Sequence, residues 1–181
     1  MPEEYRRRFR ALKTDMNNII LIGMPGSGKS TSGVILAKAA GMEFVDTDLL
    51  IQQKTGKRLQ EIIDGFGIDS FLKTESDILT DLSCKNSVIS TGGSAVCTEK
   101  AMRHLKEMGT IVFLDVPVAE LKRRISNITT RGIAMPKGQT LEALFDERLP
   151  LYKRYADITV DGTDTEKAVE IILEKLNGAV L

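Results

Sequence analysis

The octapeptide GMPGSGKS at residues 23–30 limits the folds open to this chain more than any other feature. An apolar run at residues 19–22 comes directly before it, and a helical pattern that includes Val34, Leu36 and Ala37 follows it. A strand, a glycine-rich turn and a helix in this order are typical of α/β proteins with a parallel sheet. The sequence therefore predicts a sheet with helices on both faces.

The octapeptide also has the GxxxxGK[ST] pattern of a phosphate-binding P-loop. Gly26 and Gly28 allow the N–H groups of the loop, Ser27 among them, to turn toward phosphates. Lys29 is then expected to bridge the β- and γ-phosphates of ATP, and the Ser30 hydroxyl to bind Mg²⁺. Thr31 follows as a supporting polar residue of the cofactor site. A Rossmann GxGxxG loop is excluded, because its third glycine position is Thr31.

The alternation of strand and helix patterns continues along the chain. Further strands are predicted at 43–45, 87–90, 110–114 and 158–160, and helices at 29–40, 49–54, 68–82, 99–106, 118–126, 141–155 and 165–176. Residues 127–139 break this periodicity and form a polar segment longer than a simple connector, so we expect a mobile lid there. The predicted fold class is α/β, a three-layer α/β/α P-loop kinase fold with a parallel sheet of about five strands.

Length and composition narrow the possible functions. The 181 residues suit one domain, which we place at 18–181, after an extension at 1–17 that we expect to be poorly ordered. Basic and acidic residues number 25 each, so no overall charge favours nucleic acid or a membrane surface. Two cysteines without a metal-binding spacing predict neither disulfides nor a zinc site. We expect a cytoplasmic monomer that acts on a small molecule.

Two carboxylates, Asp46 and Asp48, follow the second predicted strand. Open α/β sheets bind their ligands at the carboxyl ends of strands, which is where these side chains are expected. Asp46 is a candidate for holding hydrated Mg²⁺, and Asp48 for accepting the proton of an acceptor hydroxyl during phosphoryl transfer. The alternative is that one of them only caps the helix that begins near Leu49.

From Asn18 onward the sequence resembles the shikimate kinase family of nucleoside-monophosphate-kinase-like enzymes. The resemblance rests on GMPGSGKST at 23–31, FVDTD at 44–48, TGGSAV at 91–96, Arg131 in the lid, and ERLPLYKRYAD at 147–157. The FVDTD and RLPLYKRYAD elements in this order are the specific ones. The resemblance implies transfer of a phosphoryl group from Mg·ATP to a hydroxyl of shikimate, giving shikimate 3-phosphate in aromatic amino-acid biosynthesis.

The resemblance also implies roles for individual residues. Asp46 would assist Mg²⁺, and Asp48 would bind the hydroxyls of the acceptor. Gly92 and Gly93 would present backbone N–H groups to the acceptor, and Arg148 would bind its carboxylate. Two further residues serve the nucleotide: Arg131 would neutralise charge on the transferring phosphoryl group, and Arg124 would contact the adenine.

Three positions depart from the family pattern. Leu72 stands where these enzymes have a second arginine for the carboxylate, and the side chain of Lys73 beside it is turned about 100° further around the helix. Ser94 replaces the third glycine of a GGG element, and the lid reads TRGI at 130–133 in place of Arg-Pro-Leu-Leu. Two alternatives therefore stay open: a paralogue that phosphorylates another small hydroxylated metabolite, and a nucleotide-binding regulator without kinase activity.

Overall fold

The computed structural model describes residues 18–125 and 132–178, in which strands and helices alternate. The elements are β1 (Asn18–Ile22), α1 (Lys29–Ala40), β2 (Glu43–Asp46), α2 (Thr47–Thr55), α3 (Leu59–Thr80), β3 (Ser87–Ser90), a 3₁₀ helix (Ala95–Cys97), α4 (Glu99–Met108), β4 (Gly109–Asp115), α5 (Val118–Arg124), α6 (Leu141–Tyr155), β5 (Ile158–Asp161) and α7 (Thr165–Gly178). The predicted extension at 1–17 and the first part of the predicted lid lie outside the described residues.

The five described strands form one sheet in the order β2-β3-β1-β4-β5, and every neighbouring pair is parallel. Strand β1 is central and is buried along its whole length. Its side chains alternate between two cores: Ile20 and Ile22 belong to one, Ile19 and Leu21 to the other. Both faces of the sheet are therefore covered, as in other parallel sheets.

Helices form the two outer layers. On one face the core receives side chains from α3, α4, α5 and α6, including Leu79, Leu105 and Tyr152. On the other face α1 and α7 contribute residues such as Leu36 and Ile172. The predicted α/β class and the three-layer α/β/α architecture are confirmed.

Helix α3 differs from its prediction in the position of its start. It begins at Leu59 rather than near 68, and a kink at Gly67 (φ 83°, ψ 165°) divides it. Gly65 and Gly67 lower the helix propensity of this segment, which is why the sequence pattern concealed the first turns. Leu59, Ile62 and Phe71 of α3 form a third, smaller core.

A buried asparagine ties the start of the sheet to its surroundings. The Asn18 amide donates to the carbonyl oxygens of Cys84 (2.9 Å) and Met108 (3.2 Å). Its Oδ1 accepts from the backbone N–H of Ser87 at 3.0 Å. One side chain thereby fixes the segments that enter β3 and β4 on either side of β1.

The strand order brings three polar segments to one edge of the sheet. Strands β2, β3 and β1 are neighbours, and at their carboxyl ends begin helix α2 with Asp48 in its first turn, the loop that carries Gly92, and the loop of the 23–30 octapeptide. The chain crosses from one side of β1 to the other here, and such switch points are where α/β sheets bind ligands. Within the described residues, no helix combines the length and apolar character needed to span a membrane.

Candidate active site

A cleft lies at this edge of the sheet and joins the glycine-rich loop to the start of α2 and the loop after β3. Its lining comprises Pro25, Gly26, Gly28, Lys29, Ser30, Thr31, Asp48, Phe71, Thr91, Gly92, Gly93, Ser94, Gly132, Ile133, Ala134 and Arg148. Most of the residues proposed from sequence for binding and catalysis thus share one cleft.

The loop before α1 has the geometry of an anion-binding turn. Gly28 caps α1 in the left-handed region (φ 91°), a conformation that favours glycine. The Lys29 ammonium donates to the carbonyls of Gly23 (2.8 Å) and Met24 (2.9 Å), which holds the side chain over the loop. Ser27 is buried and does not line the cleft, whereas Thr31 does.

The two residues proposed to hold magnesium are in contact. Ser30 Oγ donates to Asp46 Oδ2 at 2.7 Å, and Ser90 Oγ lies 3.3 Å from the same hydroxyl. The other oxygen of Asp46 accepts from the N–H groups of Asp48 (3.0 Å) and Leu49 (3.4 Å), so Asp46 also caps α2. Capping and a role at the metal are thus compatible in one residue.

Gly92 separates Asp48 from the buried carboxyl of Glu75. A Cβ atom added at Gly92 would lie 2.3 Å from Glu75 Oε1 and 2.9 Å from Asp48 Oδ1, so a side chain there would displace both carboxyl groups. The Gly92 N–H donates to Thr47 Oγ1 at 3.2 Å. The expected free N–H for the acceptor is therefore engaged by the protein at this glycine.

Arg148 enters the cleft from α6 and is almost fully buried. Its guanidinium donates to the carbonyls of Gly93 (3.1 Å) and Ala134 (2.5 Å), and its buried Nε–H has no hydrogen-bond partner. The Tyr152 hydroxyl also donates to Gly93 O, at 2.6 Å. Arg148 is thus a cation held in place by two carbonyls, and it lines the cleft.

Glu75 adds a second carboxyl behind the cleft wall. Its Oε2 accepts from Ser94 Oγ at 2.6 Å, and its Oε1 is buried without a partner. Burial, chiefly, raises the pKa of Glu75 from 4.5 to about 7. The Ser94 hydrogen bond opposes the rise, the Asp48 charge adds to it, and Arg148 and Lys29 lower the pKa.

Arg124 lies beside the glycine-rich loop rather than in the cleft lining. It donates to Glu120 Oε1 (2.7 Å) and to the carbonyls of Gly162 (3.2 Å) and Thr163 (2.7 Å). A Cβ atom on Gly28 would lie 3.9 Å from its NH1 atom, so the guanidinium lies next to the glycine-rich loop. Arg131 lies outside the described residues.

The departures from the family pattern have structural consequences on the acceptor side. Leu72 packs against the small apolar core formed by Ile51, Leu59 and Phe71. Lys73 is exposed and does not line the cleft, so it does not take the place of the missing arginine. Among the described residues that line the cleft, Arg148 is therefore the arginine available to a carboxylate.

Sequence reasoning missed two features of this site. Tyr152 lies one helical turn after Arg148 on α6, and this i, i+4 spacing was the signal that could have revealed it. The Ser94–Glu75 hydrogen bond joins two residues 19 positions apart on different elements, and no local pattern indicates it. Among the described residues, no group of three or more His, Cys, Asp or Glu side chains forms a metal cage.

A P-loop at the central strand of a five-stranded parallel sheet, with a carboxylate and a buried arginine across one cleft, defines a P-loop small-molecule kinase. The family model described as shikimate kinase matches residues 25–177. The chain belongs to the shikimate kinase family.

Individual relatives agree with this assignment. The shikimate kinase of Nitrosomonas europaea is 39% identical over 164 residues, which are 88% of this chain and 78% of the relative. A solved shikimate kinase from Acinetobacter baumannii in complex with shikimate has a TM-score of 0.80 and 32% identity, covering 92% of this chain and 98% of that one. The solved enzyme from Aquifex aeolicus has a TM-score of 0.79 and 37% identity, with coverages of 91% and 98%. The predictions of the family, of a phosphotransferase with an alcohol acceptor, and of ATP with Mg²⁺ are confirmed.

Proposed function

We propose that this chain transfers the γ-phosphoryl group of ATP to a ring hydroxyl of shikimate, and that the residues described above have the following roles. The observation that carries the proposal is the single cleft in which Lys29 and Ser30 face Asp48 and Arg148. Phosphoryl transfer depends mainly on positioning and electrostatic stabilisation, and a cleft of this composition can provide both.

The donor half of the cleft fits Mg·ATP. The left-handed Gly28 before α1 opens the loop toward an anion, and Lys29 already lies over it. Ser30 and Asp46 offer adjacent oxygen ligands, which suits Mg²⁺ because this ion is usually bound by few protein groups and several waters. When bound, ATP would supply the phosphoryl group, and Mg²⁺ would shield the negative charge of the phosphates.

The acceptor half binds and activates the alcohol. Asp48 accepts a hydrogen bond from the reacting hydroxyl and takes its proton as the new P–O bond forms. Arg148 binds the carboxylate of the acceptor from its fixed position on α6, which orients the ring. Gly93 allows the loop after β3 to pack closely on Pro25, since a Cβ atom there would lie 2.6 Å from Pro25 Cδ. We assign Arg131 to charge neutralisation on closure of the lid and Arg124 to the adenine, as the resemblance implies.

A second candidate is a kinase of another small hydroxylated metabolite. The packing of Leu72 into an apolar core and the exposure of Lys73 favour it, because the carboxylate then has one arginine in the cleft lining instead of two. Loss of one charge-assisted contact weakens binding by about 1.5–3 kcal/mol if nothing replaces it. Such a loss would raise the KM for shikimate or shift the preference to another acceptor.

An assay that couples ADP release to NADH oxidation tests the proposal with shikimate, other hydroxy acids, sugar acids and homoserine. We expect the highest kcat/KM with shikimate. Absence of turnover with millimolar shikimate, together with turnover of another acceptor, would replace the proposal by the second candidate. ATP binding without acceptor-dependent ADP release would instead indicate a regulator.

The expected monomeric state and cytoplasmic location are also part of the proposal. The balance of 25 basic and 25 acidic residues supports an enzyme that has no need for nucleic acid or a membrane surface. Size-exclusion chromatography with light scattering tests the monomer, and cell fractionation tests the location.

A further inference from the structure

Ser94 occupies a position on the acceptor side of the cleft that the proposed mechanism leaves without a role. It lines the cleft directly after Gly93 and is only 4% exposed. Its Oγ donates to Glu75 Oε2 at 2.6 Å, and Glu75 is itself 2% exposed. A hydroxyl at the wall of a binding cleft is thus fixed by a carboxyl that lies behind the wall.

The local surroundings explain why Ser94 is the donor. Leu72 precedes Glu75 by three residues on α3, a spacing that places the two side chains next to each other. Leucine offers no hydrogen bond, and Lys73 is exposed. Arg148 directs its described hydrogen bonds to the carbonyls of Gly93 and Ala134.

The direction of this hydrogen bond determines what Ser94 offers to a ligand. A hydroxyl has one donor hydrogen and two acceptor lone pairs, whereas an ionised carboxylate only accepts. With its hydrogen committed to Glu75, Ser94 presents only lone pairs to the cleft. These lone pairs accept from the hydroxyl of a ligand and repel a carboxylate.

We propose that Ser94 is a specificity-determining residue that accepts a hydrogen bond from a hydroxyl of the acceptor other than the one phosphorylated, and that Glu75 positions it. This inference rests on the proposed function, since it assigns a further contact to the same acceptor. This hydrogen bond makes the enzyme selective for a ring with several hydroxyls. It lies on the side of the cleft where leucine at position 72 offers no contact to the carboxylate.

The protonation state of Glu75 provides a readout that packing alone would not give. The charged groups acting on Glu75 are Asp48 from α2, Arg148 from α6 and Lys29 from α1, and burial raises its pKa to about 7. Below that pH the protonated carboxyl can donate to Ser94 Oγ, and the Ser94 hydroxyl can then donate to a ligand. The preference for a ligand hydroxyl over a group that only accepts, such as a carbonyl oxygen, therefore falls as the pH decreases from 8 to 6.

The test compares kcat/KM for shikimate with kcat/KM for analogues in which one non-reacting hydroxyl is replaced by a carbonyl oxygen, which accepts hydrogen bonds but donates none. A neutral hydrogen bond of this kind corresponds to about a three- to tenfold preference. We expect wild type to show this preference against one analogue at pH 8 and to lose it toward pH 6. Both values are ratios between two acceptors, so the titration of groups common to both reactions cancels.

Two variants and a control complete the experiment. Ser94→Ala should reduce the preference to about one at every pH, and Glu75→Gln should make the preference independent of pH, because an amide does not titrate in this range. Ser76→Ala, which removes another buried serine hydroxyl next to Glu75 on α3, should leave the preference and its pH dependence at wild-type values. Ser94→Gly serves as the second variant if alanine impairs folding.

Several outcomes would overturn the inference. An unchanged preference in Ser94→Ala, an equal loss for all acceptors, or a wild type that discriminates against no analogue would each remove Ser94 from hydroxyl recognition. Failure of wild type to phosphorylate shikimate refutes the proposed function instead. The comparison is then made with the acceptor that the panel identifies and with its own analogues that carry a carbonyl oxygen in place of one hydroxyl.

Discussion

Substitution of Tyr152 by phenylalanine isolates one buried hydrogen bond at the acceptor side. The Tyr152 hydroxyl donates to Gly93 O at 2.6 Å, and its ring stacks on Phe113 with centroids 5.1 Å apart. Phenylalanine retains the ring and the stacking. Gly93 O also accepts from Arg148, so the variant leaves no buried carbonyl unpaired. The expected cost is therefore that of one net hydrogen bond, about 0.5–1.5 kcal/mol.

Urea denaturation and thermal melts measure this cost. For a chain of this size, Tyr152→Phe should lower Tm by about 1–6 °C without changing the slope of the urea transition. Acceptor KM should change little, because Arg148 remains bound to Gly93 O and Ala134 O. The control is Tyr155→Phe on the same helix, whose half-buried ring lies under Arg154, with an expected change below about 0.5 kcal/mol. A Tyr152→Phe variant as stable as wild type, or one destabilised by more than about 3 kcal/mol, would refute this reasoning.

Four further predictions concern the donor site, the acceptor site and the core. Asp48→Asn should lower kcat strongly in the coupled assay with little change in nucleotide affinity by calorimetry; near-normal turnover would remove Asp48 from proton transfer. Lys29→Ala should abolish productive ATP binding, whereas unchanged ATP affinity would contradict its assigned role. Asn18→Ala leaves two carbonyls and one N–H without their partner, so it should lower the free energy of unfolding by about 2–4 kcal/mol in urea denaturation. A decrease below about 1 kcal/mol would contradict the proposed importance of these three hydrogen bonds. Glu75 binds its proton more tightly in the folded state, so its contribution to stability falls as the pH rises from about 4.5 to 7. Over this window the free energy of unfolding of Glu75→Gln relative to wild type should rise by up to about 3 kcal/mol. A difference in unfolding free energy that stays constant with pH would exclude the raised pKa.

Much of the donor half of the site could be predicted because its signals are local. The loop at 23–30 combines glycines, a lysine and a serine at fixed spacing, and the strand before it and the helix after it are visible as apolar patterns. Asp46 and Asp48 follow a short apolar run, which places them at the end of a strand. These features depend on neighbours within about ten residues, so the sequence alone suffices.

The acceptor half was only partly predictable. Arg148 and the glycines after β3 were named through the resemblance to a family, but the engagement of the Gly92 N–H by Thr47 depends on a contact across 45 positions. The start of α3 at Leu59 was hidden by Gly65 and Gly67, whose low helix propensity is overcome by packing of Leu59 and Ile62 against Phe71.

The sequence by itself determined the class of fold, the P-loop and its donor chemistry, because strand and helix periods and glycine spacing are properties of adjacent residues. The tertiary structure decided which groups meet at the acceptor. The strand order β2-β3-β1 brings α3 against the loop after β3. Glu75 therefore accepts a hydrogen bond from Ser94, and the side chain of Leu72 packs against an apolar core. Those contacts join residues distant in the chain, and their energies depend on burial, which exists only in the folded protein.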